Sequence, residues 1–130
     1  ITRHYLAKMV ERQAGIIINM CSIASFMAGG GGAAYTASKH ALAGFTRQLA
    51  LDYAKDKVQV FGIAPGAVKT AMTASDFEPG GLADWVAQET PIGRWSSPDE
   101  IAELTGFLAS GKASSMQGEI VKIDGGWSLK

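Results

Sequence analysis

Tyr35 and Lys39 stand four residues apart in the stretch YTASK, and Ser22 precedes Tyr35 by thirteen positions. Residues at i and i+4 share one face of a helix, so an ammonium and a phenol would be neighbours there. A free phenol titrates near ~10 and is a poor base at neutral pH. An adjacent cation favours the phenolate, which turns a tyrosine into a usable general acid or base. Ser22 follows an apolar run that reads as a strand, and open α/β sheets bind ligands beyond the carboxyl ends of their strands. Its hydroxyl is suited to hydrogen-bond a carbonyl or alcohol oxygen. Taken singly, these residues also fit a plain surface pair and a turn serine.

The glycines at 29–32 offer a competing signal. Gly29, Gly31 and Ala34 formally satisfy G-x-G-x-x-A. A dinucleotide-binding turn, however, passes directly from strand to helix so that the pyrophosphate meets the helix N-terminus. Cys21, at the strand end, is too far from Gly29 for that. The glycines read as a flexible loop beside a cleft. His4 and His40 are too few and too isolated to form a metal site. A lone Cys21 forms no intrachain disulfide, as suits a reducing cytosol. Twelve basic and twelve acidic residues balance without a basic run, which argues against nucleic acid and anionic membranes as partners. Apolar runs are strand-sized, well below the ~20 residues of a membrane helix, and no signal-peptide pattern opens the chain.

These side chains need a scaffold. Ile1, Tyr5, Leu6, Met9 and Val10 have helical spacing, with Gly15 as the expected stop. No capping residue precedes them, as if a longer helix had been cut. GIIINMC is apolar without alternation and reads as a strand buried on both faces. AAYTASKHALAGFTRQLALDYAKD reads as a long helix, apolar around much of its circumference. Such a helix packs on two partners, with Phe45 and Leu49 expected at a contact with a second chain. VQVFGIAPG is a second buried strand. From Ala67 to Pro91 the pattern becomes irregular, and Thr70–Thr90 reads as a lid with Met72, Phe77 and Trp85 as its apolar underside. Ser97 caps a further helix, with Pro98 at its first position and Asp99 and Glu100 at the positive end. GEIVKIDGG reads as an edge strand. Helices alternating with buried strands mean a parallel α/β sheet. Three strands make a thin one, and the first leaves an apolar edge open. Residues 1–130 therefore read as the C-terminal portion of one larger doubly wound domain.

The ordered set NMCS, YTASK, IAPGAVKTAM, PIGRWSSPDEIAELTGFLAS and GEIVKIDGG resembles the short-chain dehydrogenase/reductase family from end to end. The resemblance implies an α/β fold, the C-terminal half of a Rossmann-type doubly wound parallel sheet. It implies hydride transfer between NAD or NADP and a carbonyl or alcohol substrate, a small molecule or an acyl thioester. Tyr35 would exchange the proton, Lys39 would favour ionised Tyr35 and hold the nicotinamide ribose, and Ser22 would polarise the substrate oxygen. Pro65 and Gly66 match the family's Pro-Gly turn, after which the Val68 backbone and the Thr70 hydroxyl are expected on the nicotinamide carboxamide. Asn19, Asp124, Gly125 and Gly126 match structural positions. Cys21 departs from the family's usual first serine. The pyrophosphate turn, the residue choosing NAD or NADP, and the relay asparagine are expected upstream of Ile1. The closing motifs look most like 3-oxoacyl-[acyl-carrier-protein] reductases and the allied sugar or polyol dehydrogenases. A cytoplasmic homodimer or homotetramer is the implied state. The rival reading is a truncated, non-enzymatic remnant that keeps only the oligomerisation surface.

Overall fold

The structure, a computed structural model, describes residues 2–130, so Ile1 lies outside the described residues. Helix α1 (Thr2–Glu11) buries Leu6 and rests Met9 and Val10 on the same cluster. It ends before Gly15. The chain turns at Gln13, whose φ of 52° is left-handed, and Gly15 already belongs to strand β1 (Gly15–Met20). A Cβ on Gly15 would lie 2.6 Å from Met9 Cγ. Glycine is there to let helix and strand approach, not to stop the helix.

Strand β1 pairs in parallel with β2 (Val58–Pro65), from Gly15 opposite Val58 to Met20 opposite Ile63. Strand β2 in turn pairs in parallel with β3 (Ile120–Ile123), giving the order β1-β2-β3. The central strand carries the core. Val58 and Val60 point to one face with Leu6, Leu49 and Ala50. Phe61 and Ile63 point to the other with Ile101, Leu108 and Ala113, as the two-residue period of a strand requires. Leu108 is fully buried, so truncating it to alanine should cost about 2–5 kcal/mol. Strand β1 was expected to be buried on both faces. Instead it is half-buried and Met20 is exposed, because among the described residues β1 has a neighbour on one side only. Its other edge is unpaired among the described residues, as read from the sequence, and β3 is the edge strand its Lys122 indicated.

Helix α2 (Gly32–Tyr53) links β1 to β2 and buries Ala43, Thr46, Leu49 and Ala50. Leu49 packs into the chain's own core, so it is not available to a partner chain, whereas Phe45 and Leu51 are exposed. Asn19 at the end of β1 donates from Nδ2 to Thr46 Oγ1 at 2.9 Å, and that hydroxyl donates to the Leu42 carbonyl at 2.7 Å. Asn19 thus fixes α2 against the sheet, the structural role expected of it. Helix α4 (Pro98–Ala109) covers the opposite face. It begins as its sequence dictates: Ser97 Oγ accepts the Glu100 N–H, and a Glu100 carboxylate oxygen accepts the Ser97 N–H at 2.8 Å. Arg94 grips the same carboxylate through its two terminal guanidinium nitrogens, Nη1 and Nη2, each at 2.9 Å. That hydrogen bonding, led by Arg94, lowers the Glu100 pKa to about 2.

The segment between β2 and α4 is less irregular than expected. It contains a 3-10 turn at Ala71–Phe77 and a short helix α3 (Ala83–Glu89). After β3, Asp124 closes its own turn by accepting N–H groups from Gly126 and Ser128, both at 3.0 Å. Burial resists ionisation of Asp124, but these bonds outweigh it and its pKa is lowered. A Cβ on Gly125 would meet Ile92 at 2.8 Å, and φ there is +63°. The Gly125 carbonyl accepts the Ile92 N–H at 3.2 Å, so the turn that Asp124 closes also holds the Thr90–Ile92 stretch, a structural role. No described helix is long and apolar enough to cross a membrane, and no cluster of metal ligands occurs among the described residues.

Candidate active site

The parallel strands β1 and β2 end side by side, and the chain leaves both toward the same opening. At the end of β1, Ser22 is buried and caps a short 3-10 turn, its Oγ accepting the Ala24 N–H at 3.1 Å. A hydroxyl that accepts there keeps its own proton to donate elsewhere. Ser25, in the same turn, donates to the Lys39 carbonyl at 2.8 Å and ties the serine loop to α2.

Tyr35 and Lys39 lie in the first turns of α2. Lys39 Nζ donates to the Met20 carbonyl at 2.8 Å and lies 5.6 Å from the centroid of the Tyr35 ring. One ammonium hydrogen is thus anchored at the sheet's carboxyl end, and two remain for other acceptors. From β2, Pro65 and Gly66 lead into the stretch carrying Val68 and Thr70. A Cβ on Gly66 would come within 2.8 Å of the Asp124 Cα, so only glycine lets the two loops cross this closely. Ser96 pins the stretch from the other side: its carbonyl accepts the Lys69 N–H at 3.0 Å, and its N–H donates to the Ala67 carbonyl at 2.9 Å.

Ser22, Tyr35, Lys39, Pro65, Gly66, Val68 and Thr70 all line one cleft of about 760 Å³. Its remaining wall is mostly apolar, including Met72, Trp95 and Ile101. A cleft of this size with few polar groups is the usual form of a small-molecule site. Of the three residues expected under the lid, only Met72 faces the cleft. Phe77 packs on Trp95 with ring centroids 4.9 Å apart, and Trp85 meets Trp127 edge-on at 6.1 Å. These contacts join the segment to the body of the protein, a tertiary effect that local sequence does not display.

Two contributors escape a reading of the sequence. Gly31, the residue before α2, has φ +77°, and a Cβ there would lie 2.5 Å from Tyr35 Cδ1. The Tyr35 ring therefore sits in space that glycine leaves open. The glycine run gives a place for this, four residues before the tyrosine, but not the direction of the ring. Trp95 is the other: its Nε1 donates to the Ala83 carbonyl at 2.9 Å while its ring walls the cleft.

A family model described as enoyl-(acyl carrier protein) reductase matches residues 1–128. The chain belongs to the short-chain dehydrogenase/reductase family. Among its family relatives is the 5-keto-D-gluconate 5-reductase of Escherichia coli (strain K12), 38% identical over 126 residues, covering 97% of this chain and 48% of the relative. The 3-oxoacyl-[acyl-carrier-protein] reductase of Aquifex aeolicus is 36% identical over 97% of this chain and 50% of its own length. The crystal structure of a gluconate 5-dehydrogenase from Burkholderia cenocepacia, in complex with NADP and tartrate, superposes with a TM-score of 0.92 at 32% identity. It matches 99% of this chain and 51% of that one. The chain spans about half the length of the curated relatives it matches. The fold expected from the sequence, a parallel α/β sheet belonging to half of a Rossmann-type domain, agrees with these structures.

Proposed function

We propose that the cleft is the nicotinamide and substrate end of an NAD(P)-dependent oxidoreductase acting on CH–OH groups. The observation that carries this reading is the meeting of Ser22, Tyr35 and Lys39 with the Pro65–Thr70 stretch in one apolar cleft. We further propose that the chain is the C-terminal portion of its domain, completed by an amino-terminal half along the open edge of β1. The residues here fit the nicotinamide and ribose of NAD or NADP: Lys39 keeps ammonium hydrogens free, and Gly66 lets the loop approach closely. The Val68 N–H donates to no group among the described residues. The connection from β1 to α2 makes no direct glycine turn into the helix, so the adenosine half would rest on the completing segment.

Bound there, the nicotinamide supplies the hydride in reduction and takes it back in oxidation. Ser22 donates a hydrogen bond from its free hydroxyl to the substrate carbonyl oxygen, keeping its proton, and fixes that oxygen's direction. Tyr35 would deliver its phenolic proton to that oxygen, the single proton needed to make it the hydroxyl of the product alcohol. Lys39, held by the Met20 carbonyl, stabilises the phenolate left on Tyr35 until a solvent proton replaces the one lost. The apolar wall at Met72, Trp95 and Ile101 keeps bulk water from the reacting carbon. In the oxidative direction each proton movement reverses.

Similarity to gluconate 5-reductases and dehydrogenases favours a sugar acid or polyol over an acyl thioester as substrate. We propose a cytoplasmic homodimer or homotetramer, with Phe45 and Leu51 on α2 available to the partner. The test uses the protein carrying this chain together with its amino-terminal complement. It should oxidise NADH or NADPH with 5-keto-D-gluconate faster than with an acetoacetyl thioester. A preference for the thioester would transfer the reading to acyl reduction. Absence of binding to both dinucleotides would make the chain a non-catalytic remnant.

A further inference from the structure

Thr73 is three residues beyond the stretch assigned to the nicotinamide, and nothing in the mechanism uses it. Its hydroxyl nevertheless makes more bonds there than any other side chain. Thr73 Oγ1 accepts the Thr70 N–H at 3.0 Å and lies 3.0 Å from the Val68 carbonyl oxygen and 3.1 Å from that of Thr70. It has one proton to give. The Thr70 carbonyl already receives the Thr73 N–H at 3.1 Å, whereas the Val68 carbonyl accepts from no other group among the described residues. The proton is therefore directed at Val68. Thr73 is half-buried and lines the same cleft.

We propose that Thr73 is a positioning residue for the nicotinamide subsite, its hydroxyl holding the Val68 carbonyl and the Thr70 N–H in one fixed arrangement. This rests on the reading of the cleft as an NAD(P) site. With those two groups satisfied internally, the turn presents the Val68 N–H and the Thr70 hydroxyl to a carboxamide. Without the clamp, the turn loses its fixed geometry and the ligand must order it on binding, which weakens affinity.

The substitution Thr73→Val keeps the side chain's shape and removes both bonds, and Thr73→Ser keeps them. Affinities are measured by calorimetry on the protein carrying this chain together with its amino-terminal complement, for NADH and NADPH, and for ADP-ribose and its 2′-phosphate, which lack the nicotinamide. Thr73→Val should weaken the intact dinucleotide about tenfold and leave the truncated ligand unchanged, with Thr73→Ser close to wild type. Equal affinity of wild type and Thr73→Val for the dinucleotide overturns the proposal. So does an equal loss for intact and truncated ligands, which would mark Thr73 as generally structural. Failure of the wild type to bind either dinucleotide instead refutes the cofactor reading itself.

Discussion

Replacing Gly31 by alanine separates backbone strain from the position of the Tyr35 ring. Gly31 and its neighbour Gly32 have nearly equal φ values, +77° and +78°. A side chain at either position pays the left-handed penalty, about 1–2 kcal/mol of stability. Their surroundings differ. An added Cβ at 31 would lie 2.5 Å from Tyr35 Cδ1 and 2.7 Å from Cγ, while at 32 it would meet nothing within 4 Å. Carbon atoms rest at about 3.5–4.0 Å, so in Gly31→Ala the ring must retreat by about 1 Å. A displacement of that size at a reacting group costs on the order of 100-fold in rate. Thermal melting and steady-state kinetics of the two variants, in the complete protein, give the comparison. Both should lose similar stability, and Gly31→Ala alone should lose about two orders of magnitude in kcat. Equal kcat in the two variants would refute the idea that Gly31 seats the ring.

Other consequences are open to direct measurement. The lowered pKa of Glu100, about 2 against an ordinary 4.5, means its carboxylate supports the fold above about pH 4.5 and ceases to as pH falls through about 2. The difference in melting temperature between wild type and Glu100→Gln should therefore be present at neutral pH and vanish near pH 2; a constant difference would contradict it. Asn19→Leu removes the link from β1 to the buried Thr46 and should cost about 1–3 kcal/mol in denaturant unfolding. No change would deny Asn19 its role. Hydrogen exchange in Thr70–Thr90 should be slowed by dinucleotide plus substrate relative to the free protein, and strong protection in both states would end the proposed lid.

What the sequence displays and what it hides divide along a physical line. The start of α4 was legible because Ser97, Pro98 and Glu100 form a local device whose partners lie within one turn. The pairing of Tyr35 with Lys39 was legible for the same reason, since helical spacing alone brings them together. The stop at Gly15 was misread because a glycine needed for close packing against Met9 looks, in sequence, like one needed for a turn. Leu49 was assigned to a partner chain because apolarity around α2 says that two faces are covered, not which face meets the chain's own β2. The 3-10 turn at Ala71–Phe77 had no periodic signal. Bonds from Thr73 to Val68 and stacking of Phe77 on Trp95 hold it there, and neither is visible before the chain folds. The orientation of Tyr35 belongs with these, since it depends on the space left at Gly31.

If Tyr35 passes the proton in a hydride-transfer reaction, its hydroxyl is indispensable to turnover. Tyr35→Phe removes one oxygen and leaves the ring in its seat beside Gly31. Single-turnover rates with NADPH or NADH and 5-keto-D-gluconate should fall at least about 100-fold, with dinucleotide affinity and melting temperature close to wild type. A Tyr35→Phe protein that turns over at the wild-type rate would show that the proton comes from elsewhere.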